Sequence, residues 1–460
     1  MQGAEKMGVE PVNKLLIKMA LPMMLSLMVI ALYNIVDSIF VARISEDALT
    51  AVSMAFPMQT LLMASSSGTA VGLNALLSRS LGEGNREDAN KSVVNALFLC
   101  AVTYLIFLVV GIFFVKPFYV LQTGSVDSVI TQYGVEYLRC VLIFSFGVYA
   151  EVIFERTLTA TGRTVLCMIT QLIGAIVNLI LDPILIFGLL GFPAMGVRGA
   201  AVATVIGEIM AAVAAYILNV TKNTDITLTF KGFRPDKNII RTILIVGIPS
   251  MIMQAIGSVM VFGFNKILVY FSTTAVAVFG IFFKINSMVF MPVFGINMGM
   301  IPIVAYNYGA KNRDRMIKAI GWSIVYAAVI MIVGVSIIEL IPDKILMLFN
   351  ASENMLEIGV PALRIICLSM LLASPSIIFS SSFQALGYGV YSMFISLIRQ
   401  LLVLLPAAAI LAVIAYRTTG DVTLVWWSFD IAEIAAISAS LSFYMYTYRT
   451  VIKPLPKGND

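Results

Sequence analysis

Residues 173–188, IGAIVNLILDPILIFG, decide how this chain is read. The stretch is apolar enough to lie inside a lipid bilayer, yet it carries Asn178 and Asp182 four residues apart. Residues at i and i+4 share a helix face, so the amide and the carboxylate point the same way. Pro183 follows at once; it has no N–H, which predicts that the carbonyl of Leu179 is released from the helical ladder. An ionised Asp at the middle of a bilayer costs about 2.5–3.5 kcal/mol on insertion scales. Such a residue persists where it meets a wet cavity, a partner or a cation.

The surrounding composition agrees. Sixty per cent of the 460 residues are apolar and only 12% are charged, against about 25% charged in a soluble domain. Apolar runs fall near 13–41, 49–78, 92–115, 130–161, 164–190 and 197–220, then near 239–270, 274–306, 316–341, 355–385, 389–415 and 422–447. Each exceeds the roughly 20 residues a helix needs to cross the hydrocarbon core. The expectation is an all-α polytopic membrane protein with twelve transmembrane helices. The N-terminus carries no small-residue cleavage site, so no cleaved signal peptide is expected. The four cysteines lie in apolar runs and form no Cys-x-x-Cys pair, so they read as small hydrophobes. With no histidine in the chain, proton chemistry must run on carboxylates. No Walker Gly-rich loop is present, which argues against ATP as the energy source, and no cofactor is expected.

Basic residues give the orientation. With the N-terminus inside, 19 Lys and Arg fall in inside segments and five (Arg43, Lys116, Arg198, Lys344 and Arg417) in outside ones. The positive-inside rule then puts both termini in the cytoplasm. The longest polar loop, residues 222–241, separates an N-terminal lobe (1–221) from a C-terminal lobe (242–460).

The two lobes repeat. At a shift of 227, Pro22 maps to Pro249, Gly68 to Gly295, Gly72 to Gly299, Gly82 to Gly309, and Asn85-Arg86 to Asn312-Arg313. Further on, a shift of 225 maps Arg139 to Arg364, Gly162 to Gly387 and Glu208 to Glu433. Two pseudo-symmetric six-helix bundles follow, related by an axis along the membrane normal. Arg139/Arg364 and Glu208/Glu433 occur in both halves, so they read as symmetric structural pairs. The carboxylates that break the symmetry are more telling: Asp37 maps to Phe264, Asp182 to Ala407, Glu151 to Ser376 and Glu155 to Ser380.

Depth groups some of them. At 1.5 Å per residue, Asp37 lies about 8 Å below the outer rim, and Asp182 and Thr204 about 12 Å down. Asp37, Asn178, Asp182 and Thr204 therefore form a candidate cation site of oxygen ligands, suited to Na⁺ or to a carboxylate pair sharing a proton. Glu151 and Glu155 share a face nearer the cytoplasm and are candidates for a proton or substrate path, although Glu155 has Arg163 and Lys91 as possible ion-pair partners. The 26 methionines suit an adaptable cavity but are also ordinary filler in membrane helices.

The chain resembles the multidrug and toxic compound extrusion (MATE) family over nearly its whole length. The resemblance is carried by LPMMLSL, NIVDSIFVAR, RSLGEGNREDANK, TATGR, NLILDPILIFG, GVRGAAVAT and AYNYGAKNRDR. It is nearest the bacterial MepA-like branch, with acidic residues on the fourth and fifth helices. It implies two bundles facing a cavity that opens alternately to either side, and export of organic cations in exchange for Na⁺ or H⁺. It also implies a monomer in the inner membrane, with lipids but no nucleic acid as partners. Asp37, Asn178, Asp182 and Thr204 would be the N-lobe cation site, and Glu155 an acid on the path. Some branches carry a carboxylate on the seventh helix where this chain has Gly257, so a second-lobe cation site is not expected. The rivals are a lipid-linked oligosaccharide flippase, which would call for basic cavity walls, and a membrane transferase, which would need a polar catalytic loop.

Overall fold

The computed structural model describes residues 3–349, 351–418 and 420–456. Lys457, one of the 19 basic residues placed inside, lies outside them. Among the described residues there are helices and no strand. Among the described residues eleven helices are each long and apolar enough to span a membrane, and two segments bent against each other make a twelfth when taken as one span. The crossings are α1 (Val12–Ala42), α2 (Phe56–Gly82), α3 (Arg86–Phe113), α4 (Val129–Ile143 and Phe146–Ala160), α5 (Thr164–Phe187) and α6 (Val197–Lys222) in the first half. The second half has α7 (Lys237–Val269), α8 (Thr273–Gly309), α9 (Arg313–Leu340), α10 (Glu353–Ala385), α11 (Gly389–Thr418) and α12 (Thr423–Ile452).

Local chemistry explains the boundaries. The repeated Asn-Arg pairs are helix starts: the Asn85 side chain accepts from the Asp88 N–H, and that of Asn312 accepts from the Arg315 N–H. Several expectations are adjusted. The run read as 49–78 is divided at Ala55 into a short helix, Glu46–Met54, and α2. The two parts of α4 meet at 46°. The helices α1, α5 and α7 run on through Pro22, Pro183 and Pro249 as continuous helices, as membrane helices tolerate where neighbours satisfy the backbone.

The repeated glycines are the surface on which the halves meet. A Cβ on Gly72 of α2 would run into the carbonyl of Ile243 of α7, and one on Gly82 into the carbonyl of Tyr306 of α8. Their repeat mates behave alike: a Cβ on Gly299 would stand 2.9 Å from the Ala20 nitrogen of α1, and one on Gly309 would strike the Arg79 carbonyl of α2. Small residues let membrane helices approach backbone to backbone.

The cores cross over at the same end. Leu15, Leu16 and Met19 of α1 are buried in the second-half core, while Ile239 and Ile243 of α7 are buried in the first-half core. An N-terminal strap covers this end. The Ala4 N–H donates to Asp225 (3.1 Å), which also pairs with Arg163, and Asn307 Nδ2 donates to the Met7 carbonyl (2.9 Å). The halves are thus closed at the end that carries the two Asn-Arg turns.

Candidate functional site

The α5 helix presents Gln171, Asn178 and Asp182 along one face. Its partner α6 lies close because a Cβ on Gly207 would stand 2.9 Å from the Gly174 carbonyl, and one on Gly199 would stand 2.6 Å from that of Leu185. This approach sets Thr204 against Asn178, whose side-chain amide lies 3.4 Å from Thr204 Oγ1. Asp182 is fully buried and Asn178 nearly so. From α1, the Asp37 carboxyl comes within hydrogen-bonding reach of that of Asp182. The four residues grouped by depth in the sequence are therefore brought together.

The polar atoms there are incompletely satisfied. Oδ1 of Asp37 and Oδ1 of Asp182 are each buried without a partner, and a buried unsatisfied oxygen costs free energy unless a proton or an ion meets it. The hydrogen-bonding surroundings fix the Asn178 amide: its nitrogen donates to Asp182 Oδ2 (3.1 Å) and its oxygen accepts from the Thr204 N–H (3.2 Å). Two carboxylates, an amide and a hydroxyl are hard ligands. No cluster of three or more His, Cys, Asp or Glu suited to a metal occurs among the described residues.

Toward the closed end, a cavity of about 300 Å³ is lined by Tyr33, Glu151, Glu155, Asn178, Thr204 and Glu208, among others. The candidate path acids Glu151 and Glu155 thus adjoin the Asn178–Thr204 pair. Glu155 is held by α5 rather than by a cation: Thr170 Oγ1 donates to its Oε1 (2.9 Å) and Gln171 Nε2 to its Oε2 (2.8 Å). Gln171 is also hydrogen bonded to Ser26 of α1. The pairing of Glu155 with Arg163 or Lys91 is not found. Arg163 is engaged by Asp225, and Lys91 by Glu87 at 2.5 Å, because Glu155 is buried inside the bundle while both cations lie at its rim.

The symmetric acids also part company. Glu433 pairs with Arg399 (2.9 Å) on the wall of a second cavity, of about 520 Å³, whereas its mate Glu208 faces the first cavity without an ion pair among the described residues. Tyr33 and Gln171 were overlooked in the sequence, and Glu208 was read only as the structural mate of Glu433, although spacing pointed to each. Glu208 follows Thr204 by one turn, Tyr33 precedes Asp37 by one turn, and Gln171 continues the α5 stripe. In the second half, the place of Asp37 is filled by Phe264, packed on Phe279 (4.8 Å between centroids) and Phe429 (5.0 Å). An aromatic cluster there leaves no polar counterpart of the Asp37 site.

Comparison with known proteins gives a consistent picture. A family model described as MatE matches the chain twice, over residues 22–184 and 249–410. The chain is 27% identical over 437 residues to the multidrug export protein MepA of Staphylococcus haemolyticus, covering 95% of this chain and 94% of that one. It is 28% identical over 449 residues to the MepA of Staphylococcus aureus, covering 96% of each. Among solved structures, it is similar to one described as the outward-facing conformation of a multidrug resistance MATE family transporter of the MOP superfamily, with a TM-score of 0.90 and 25% identity, covering 98% of this chain and 99% of that one. It is also similar to a MOP superfamily transporter from Pyrococcus furiosus whose binding pocket is described as reversed in polarity, with a TM-score of 0.88, 25% identity and the same coverage.

Proposed function

The chain belongs to the MatE family, and on that premise we propose that it is a secondary active multidrug exporter, exchanging organic, cationic amphipathic compounds for Na⁺ or H⁺ by alternating access. The observation that carries the proposal is the meeting of Asp37 and Asp182 in hydrocarbon, each with an unpartnered buried oxygen. Asp37, Asn178, Asp182 and Thr204 hold the coupling ion. Glu151, Glu155 and Glu208 give the adjoining cavity an acidic wall for the organic cation, with Arg156 its one basic residue. That polarity opposes the flippase alternative. The N-terminal lobe (1–221) and C-terminal lobe (242–460) rock about the glycine seam, and a single chain suffices.

A ligand that binds two states equally shifts nothing, so ion and drug must each prefer one lobe arrangement. The decisive measurement uses purified protein in liposomes with an imposed Na⁺ or pH gradient, scored for movement of a cationic dye. Gradient-driven dye movement is expected. Dye movement that ignores both gradients would overturn the exchange.

The orientation proposed is that of an inner-membrane protein with both termini in the cytoplasm, supported by the distribution of basic residues. A cysteine placed in the 222–241 loop is then labelled by an impermeant reagent only from the cytoplasmic side. Labelling from outside intact cells would reverse the orientation.

A further inference from the structure

Repeat symmetry singles out a second polar feature, on the outer flank of the N-terminal lobe. Arg364 of α10 has an acid within reach, Glu339 of α9, at 3.8 Å. Its mate Arg139 on α4 has no counterpart to that acid, since the matching place holds Ile112 or Phe114 at the two repeat shifts. A second guanidinium, Arg198 at the start of α6, lines the same cavity, and the place of Arg198 in the other half is held by Thr423. Both arginines are exposed, and among the described residues neither makes a hydrogen bond or ion pair.

The cavity has a volume of about 590 Å³. Its walls are aliphatic and aromatic, including Ile143, Phe144, Val202 and Ile206, with Glu136, Arg139 and Arg198 as the charged groups. Phe144 also sits at the 46° break between the two parts of α4.

We propose that this groove binds one anionic phospholipid of the outer leaflet, its phosphodiester between Arg139 and Arg198 and the upper part of an acyl chain along the α4–α6 wall. Guanidinium forks match phosphate oxygens in geometry and charge. A neutral or zwitterionic lipid lacks the net charge to satisfy two arginines against one carboxylate. The assignment of leaflet rests on the proposed orientation; the preference for an anionic headgroup does not, and neither depends on the exchange of ion and drug. Seated against the break in α4, the lipid also braces the segment that carries Glu151 and Glu155.

The test is native mass spectrometry of the full chain in detergent with equal amounts of phosphatidylglycerol and phosphatidylcholine, beside melting temperatures with each lipid. Wild type is expected to retain one phosphatidylglycerol that Arg139→Gln/Arg198→Gln binds about tenfold more weakly, since each basic group near a membrane surface adds appreciable affinity for anionic lipid. Glu136→Gln, which removes the opposing carboxylate, is expected to retain that lipid more tightly. Equal retention by wild type and the double variant, or no preference over phosphatidylcholine, overturns the proposal. So does a melting shift of the same size with millimolar inorganic phosphate, which would make the groove a reader of soluble anions.

Discussion

Asp182→Asn is expected to leave the protein folded while reducing gradient-driven export to less than about one-tenth of the wild-type rate. Asn keeps the size of the side chain and can still meet Asn178 and Asp37, so the packing of α5 on α6 is preserved. What it removes is the charge whose neutralisation distinguishes the ion-loaded from the empty state, and without differential binding the ion gradient cannot bias the lobes. Glu433→Gln is the matched control. It neutralises one partner of the buried pair with Arg399 and leaves the guanidinium without its counter-charge, a loss of about 3 kcal/mol in comparable pairs. Its melting temperature in detergent should fall, while export per folded molecule persists. Wild-type export with intact gradient dependence in Asp182→Asn would sink the assignment. Loss of export in Glu433→Gln at an unchanged melting temperature would move the functional site to the other lobe.

Gly309→Leu is expected to be as damaging by a different route. Even a methyl group at this place would meet the Arg79 backbone, and packed backbone has no rotamer with which to yield. The ends of α2 and α8 must separate, so the closed arrangement is lost and export with it, again to below about one-tenth of wild type, because alternating access needs both states populated. A cysteine at Ser80, buried and next in sequence to Arg79, should be protected from a cytoplasmic impermeant reagent in the parent protein and labelled once Gly309→Leu is added. Gly321→Leu, where a Cβ meets open space, should change neither readout. Unaltered protection and export in Gly309→Leu would show that the contact is not part of the gate.

Much of this was legible in the sequence because hydrocarbon imposes a simple rule. Spans must be long and apolar, and a carboxylate inside them must have company. The polar pair Asn178–Asp182 and the broken repeat at Asp37 were therefore visible, as was the twofold plan. The repeat glycines were visible too, but a repeat establishes equivalence and says nothing about contact. Only the structure shows Gly72 and Gly309 meeting the opposite half. Partner choice was the weakest point. Glu155 turned to Thr170 and Gln171, because a neighbouring helix offers donors at depth while the rim cations Arg163 and Lys91 are satisfied nearby. Short breaks such as Ala55, and the bend within α4, leave hydropathy unchanged and so leave no trace in the pattern of apolar runs.

The confinement of paired carboxylates to one lobe bears on how steep a drug gradient the protein can sustain. If one monovalent ion enters for each monovalent organic cation expelled, no net charge crosses, and the membrane potential does no work on the exchange. The drug ratio then rises no higher than the ion's own concentration ratio. Two carboxylates side by side can instead take up two protons per cycle, which moves one net charge inward. Each such charge contributes about 2.3 kcal/mol per 100 mV, enough to raise the limiting ratio about 50-fold. With Phe264 and Ala407 in the second lobe where the first has acids, no further carboxylate pair is present at the matching positions. The occupancy of the Asp37–Asp182 pair, one ion or two, therefore decides whether the exporter draws on voltage or on concentration alone.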